Sequence, residues 1–137
     1  MYNREKDWLD FIEEFNKETL MGVHIELVAR YTDHSYYYYF SLFFRIYKLW
    51  AKKYNSGRLC PFEKFVENVR EHIVEYTVVQ YGDSPDDQLE KWSVETCDTQ
   101  VQKYLNRIDT NVREGQGERD LFKAAHLTQV SWMKSRR

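Results

Sequence analysis

Hydrophobic positions along this chain recur mostly every three to four residues, the period of a helix that buries one face. Over residues 4–19, Trp8, Phe11, Ile12 and Phe15 fall on one side, while Asp7, Asp10, Glu14 and Lys17 fall on the other. Residues 22–32 fit two patterns. Val23, Ile25 and Leu27 alternate with His24 and Glu26 as in a strand, whereas Leu20, Val23, Leu27 and Tyr31 fit a helix. A lone strand has nothing to pair with, so helix is favoured. Thr32-Asp33-His34-Ser35 supplies capping residues ahead of a segment running from Tyr36 to Tyr54, which Asn55-Ser56-Gly57 closes. Rings fall on every side of that segment, which predicts a buried central helix rather than a one-sided one.

Pro61 sits where a helix start tolerates its missing N–H, and Phe62, Phe65, Val66, Val69, Ile73 and Tyr76 form the apolar face of a third helix ending at Gly82. Ser84-Pro85-Asp86-Asp87 combines a cap, a first-turn proline and acids at the positive end of the dipole. Leu89, Trp92, Cys97, Val101, Tyr104, Leu105 and Ile108 continue from it, with a slip of register near Ser93 where a break is expected. A loop over 110–117 leads to a last helix over 118–134 that turns Leu121, Phe122, Ala125 and Trp132 inward. Ser135-Arg136-Arg137 reads as a frayed basic tail. The pattern therefore predicts an all-α protein: a single helical domain over 1–137, a compact bundle of five or six helices around an aromatic-rich one.

Composition sharpens this picture in two places. Aromatic residues make up 17% of the chain, which argues against disorder, and ten of them fall between Tyr36 and Tyr54. The net charge of −2 hides two opposed regions. Residues 63–98 carry ten acids and three bases, whereas from 101 onward there are eight bases and four acids. A uniformly basic nucleic-acid binder is thereby disfavoured, but a charged interface is not. The longest uncharged apolar-looking run, Ser35 to Phe44, is ten residues, about half of what a membrane span needs. The polar N-terminus has no apolar signal core, and Cys60 and Cys97 read as free thiols, so a cytoplasmic setting is expected.

Three features carry candidate chemistry. Four consecutive tyrosines, Tyr36, Tyr37, Tyr38 and Tyr39, cannot all point inward at 100° per residue, and exposed tyrosines suit a protein interface. The plainer reading is core packing; base stacking beside Arg45, Lys48, Lys52, Lys53 and Arg58 is a weaker third. Glu63, Glu67, Glu71 and Glu75 recur at four-residue steps and form an acidic ridge. That ridge is either a solvated face, a docking surface for a basic partner, or a source of carboxylates for a divalent metal. Arg113, Gly115, Gly117, Arg119 and Asp120 surround a helix start, where backbone N–H groups can meet an anion, although acids in the same turn favour an ordinary cap. Ser41, Ser93 and Ser131 lack a glycine-flanked elbow, His126 reads as a core or boundary residue, and the scattered cysteines and histidines give no zinc spacing.

Tyr81-Gly82-Asp83-Ser84, Trp92, Gln102-Lys103-Tyr104-Leu105-Asn106-Arg107-Ile108 and Asp120-Leu121 with Ala124-Ala125-His126 faintly resemble small helical phage and bacterial proteins of the nucleotide-modification-associated type. The resemblance covers the C-terminal half. It implies an all-α fold, a role near phage nucleotide metabolism in a host cytoplasm, and Arg107 and Asp120 as site residues.

Two functions are then in contention. The first is a non-enzymatic interaction protein, such as a phage-type inhibitor or adaptor, working through Tyr36–Tyr39 and the ridge Glu63, Glu67, Glu71 and Glu75 toward a protein partner or a second copy. It requires no cofactor. The alternative is a nucleotide-binding or Mg-dependent nucleotide-hydrolysing protein using Arg107, Arg113, Arg119 and Asp120. Its magnesium would need Glu67, Glu71 and Glu75 to meet Asp98 or Asp120.

Overall fold

Each strongly periodic segment is a helix in the computed structural model, which describes residues 4–20, 36–55, 62–76, 91–108, 110 and 115–136. Helix α1 spans Arg4–Leu20, α2 Tyr36–Tyr54, α3 Phe62–Glu71, α4 Val94–Arg107 and α5 Gln116–Ser135. A π-helical turn, His72–Tyr76, continues α3. No strand occurs among the described residues, so the fold is all-α, with five helices packed as a bundle. The ambiguous segment 22–32, the expected helix end at Gly82 and the Ser84-Pro85 start lie outside the described residues.

The break expected near Ser93 is present and has a local cause. Ser93 is extended and its hydroxyl accepts a hydrogen bond from the Thr96 N–H at 3.1 Å, so it caps α4 and starts a fresh helix. Helix α5 is longer than expected at both ends. Gly115, in the left-handed region at φ 76°, turns the chain into it. At the other end Ser135 remains helical, and the Arg136 guanidinium lies 4.4 Å from the Trp132 ring centroid.

The core is built from rings. Phe43 meets Trp8, Phe11 and Phe15 edge-on at centroid distances of 5.6, 5.2 and 5.0 Å. Phe65 bridges Tyr47 and Trp50 to Phe122. Such contacts add about 0.5–1.5 kcal/mol each beyond the area they bury. Helix α2 is buried on every side over residues 39–43 and on one side beyond them, at Ile46, Tyr47, Trp50 and Ala51, whereas Arg45, Leu49, Lys52 and Lys53 are exposed. Its rings do not surround the helix evenly, because the cations in its second half claim a solvent face. Helix α5 packs against all four others. Residues 120–122 and 124–132 of it are all buried, including Asp120, His126, Thr128, Gln129 and Ser131.

Candidate functional site

Helices α4 and α5 form an antiparallel hairpin. The start of α4 meets the end of α5, where Cys97 lies beside Ser131 and Lys134. The end of α4 meets the start of α5, where the Arg107 Nε lies 3.6 Å from the Asp120 Oδ2. Asp120 is fully buried, and a buried carboxylate requires compensation of this kind.

Around that pair the hairpin gathers further cations. Lys103 and Arg107 stand one turn apart on α4, and Arg119 and Lys123 one turn apart on α5. Three of them surround a single ring: the Lys103 Nζ, the Arg107 Cζ and the Lys123 Nζ lie 6.0, 5.7 and 5.5 Å from the Tyr104 centroid. Arg119 folds back over the helix start, so that a Cβ added at Gly115 would stand 3.3 Å from its guanidinium. Burial holds the Lys123 amine below its usual value. Asp120 opposes that shift, and Arg107, Arg119 and Lys103 add to it by repulsion.

His72, on the π turn after α3, borders the same cluster. Its ring is buried, with the Phe122 ring 6.0 Å away. Burial, and then repulsion from Lys123 and Arg119, push its pKa down to about 4. At neutral pH the imidazole is uncharged, and it contributes a polar group rather than a fifth cation.

Of the residues expected at a nucleotide site, Arg107, Arg119 and Asp120 come together here, and Arg113 lies outside the described residues. Lys103, Tyr104, Lys123 and His72 were not named as site residues from the sequence, although Lys103 and Tyr104 belong to the motif that carries the resemblance. The legible signal was the pair of i, i+4 basic spacings, Lys103 with Arg107 and Arg119 with Lys123, within the base-rich region after residue 101.

Within the tyrosine run, the side chains of Tyr38 and Tyr39 are described. Tyr39 is fully buried and its hydroxyl donates to the Asp98 Oδ2 at 3.2 Å, tying α2 to α4. Tyr38 is half-buried with its ring edge-on to Tyr39. Tyr36 and Tyr37 belong to the first turn of α2, and their side chains lie outside the description. Tyr39 is thus not one of the exposed tyrosines expected of the run, because its ring joins the buried first half of α2.

The acidic ridge is exposed at Glu63, Glu67 and Glu71, and the Glu75 side chain lies outside the description. Glu67 accepts from the Arg70 Nε at 2.8 Å, and Arg70 also reaches Glu5 on α1. Hydrogen bonding from Arg70 holds the Glu67 carboxyl below its ordinary range. The carboxylates do not assemble with Asp98 or Asp120 as a magnesium site requires: among the described residues no group of three His, Cys, Asp or Glu side chains is placed to hold a metal ion. His126 is buried, and burial pushes the Cys97 thiol up to about 11, so it is not a reactive thiolate at neutral pH. No helix among the described residues is long and apolar enough to cross a membrane.

Comparison of the chain with protein-family models, with curated proteins and with solved structures gives no match.

Proposed function

We propose that the protein binds a phosphate-bearing small molecule of the nucleotide class at the connected end of the α4–α5 hairpin, where the end of α4 meets the start of α5. The observation that carries this reading is the convergence of Lys103, Arg107 and Lys123 on the Tyr104 ring, with Arg119 one turn from Lys123. Cations crowded together repel one another, and a fold keeps such a group when an anion neutralises it. Arginine adds a planar fork suited to two phosphate oxygens at once. The buried Asp120 pairs with Arg107 and fixes where that fork sits. Binding rather than catalysis is the proposed activity, since the cluster offers charge and position but no activated nucleophile.

Thermal denaturation of the full chain with a panel of nucleoside phosphates tests this. A ligand at one hundred times its Kd is expected to add about 2.7 kcal/mol, with a matching rise in Tm. Lys103→Gln and Lys123→Gln should abolish the rise. No rise with any member at millimolar concentration would contradict the proposal.

A second reading rests on the exposure of Glu63, Glu67 and Glu71 along one face of α3, which suits docking to a basic protein surface. Light scattering of the full chain alone distinguishes a self-associating form of that interface. Association lost in Glu63→Lys/Glu71→Lys would support it, and a monomer at high concentration would count against it.

A further inference from the structure

We infer that the protein associates with itself head to tail, the acidic face of α3 in one copy docking on the basic face of α2 in the next. This rests on the reading of the α3 face as a docking surface, and it names the surface that docks there.

Each face lies on one helix. On α2, Arg45, Leu49 and Lys52 are exposed and, standing four and three residues apart, share one side. On α3, Glu63, Glu67 and Glu71 are exposed at four-residue steps. Glu67, in the middle, is engaged by Arg70. Neither Arg45 and Lys52 nor Glu63 and Glu71 are joined by a hydrogen bond or an ion pair to another described residue. At a rise of about 1.5 Å per residue, the two cations stand about 10.5 Å apart along α2 and the two acids about 12 Å apart along α3. The pairs therefore match in sign and closely in spacing. Leu49, between the cations, is one of three large apolar side chains left exposed among the described residues, and it gives the contact an apolar centre.

The two faces cannot meet within one chain. Helix α3 lies against the side of α2 that carries Phe43 and Tyr47, whose ring centroids stand 6.0 and 4.9 Å from that of Phe62. At about 100° per residue, Arg45, Leu49 and Lys52 occupy the opposite side of α2. On α3, Phe62, Phe65 and Val69 pack on the core, so the glutamates are turned outward, away from α2. The acidic and basic faces thus look in opposite directions. A contact between them joins unlike patches of two copies, leaves one face open at each end, and lets a third copy add. Opposite charge steers the faces together and sets their register. Exposed ion pairs are individually weak and are screened by salt, so the association belongs to high protein concentration and low ionic strength.

Static light scattering of the full chain over a concentration series at low and high salt is the test. At about 1 mM protein and about 20 mM salt the mean mass should reach at least about twice that of the monomer, and it should return to the monomer at about 0.5 M salt. Arg45→Glu/Lys52→Glu and Glu63→Lys/Glu71→Lys change exposed residues only, and each alone should be monomeric, because like charges then face each other. An equimolar mixture of the two should associate again, because the unchanged face of each meets the unchanged face of the other. Association that persists in either variant alone, or at high salt, would overturn the inference. A wild-type chain that stays monomeric throughout would overturn it too, while leaving the α3 face as a docking surface for a different basic protein. Titration of the labelled chain with oligolysine separates that case: NMR shifts along Glu63, Glu67 and Glu71 would keep the docking reading, and their absence would overturn both.

Discussion

Helices α2 and α5 invert what their compositions suggest. Helix α2 carries ten aromatic residues in 19 positions, yet it exposes Arg45, Leu49, Lys52 and Lys53. Helix α5 carries two, Phe122 and Trp132, yet it is buried almost all round because four helices pack on it. Burial follows position in the bundle, and α5 meets it with small side chains where neighbours approach and, at Thr128, by satisfying a polar group within the helix. Ala124, Ala125 and Ser131 let neighbours approach, and the Thr128 hydroxyl donates to its own helix at the Ala124 carbonyl, 2.7 Å away. The consequence for function is that α5 can carry a buried carboxylate at Asp120 with cations beside it, which a purely apolar helix could not.

The largest expected effect tests the core side of this contrast. Phe43→Ala removes the ring that three others of α1 meet edge-on, and should cost about 3–5 kcal/mol in chemical denaturation. Leu49→Ala, on the same helix, should stay within about 0.5 kcal/mol. Equal losses would mean that α2 has no solvent face.

Acid comes next. His72 is held neutral down to about pH 4 by the fold, against an ordinary value of 6.5. The unfolded chain therefore takes up this proton first as pH falls. Stability from this group is complete above about pH 6.5 and drains away between there and pH 4, by on the order of 3 kcal/mol. His72→Gln should remove that part of the slope in denaturation curves recorded across the window. An unchanged slope would show that burial of His72 is not its cause.

A smaller effect probes the polar interior of α5. Gln129 is fully buried, and among the described residues neither end of its amide has a hydrogen-bond partner. Gln129→Met keeps the volume and removes the unmet polar atoms, so a gain of about 1–2 kcal/mol is expected. A loss of similar size would mean that the amide stabilises α5 after all.

The fold was legible where one rule sufficed. The periods of α1 and α3, the Ser93 cap and the aromatic segment each specify a helix locally. The solvent face of α2 was written in Arg45, Lys52 and Lys53, but counting rings obscured it. The environment of α5 was not legible, because burial of Gln129 or Ser131 depends on what packs there and not on its own sequence. The site divides the same way. Arg107 and Asp120 were named through a resemblance and Arg119 through a glycine-flanked helix start, but their meeting depends on the antiparallel pairing of α4 and α5. Tyr39 was misplaced because four adjacent tyrosines leave open which of them faces inward.

The most direct measurement is a titration of the isotopically labelled full chain with pyrophosphate, followed by backbone and side-chain NMR shifts. A cationic site at the connected end of the α4–α5 hairpin predicts saturable shifts centred on Lys103, Tyr104, Arg107, Arg119 and Lys123, with the exposed face of α2 unmoved. Shifts that do not saturate, or that centre on Arg45, Lys52 and Lys53 instead, would contradict it.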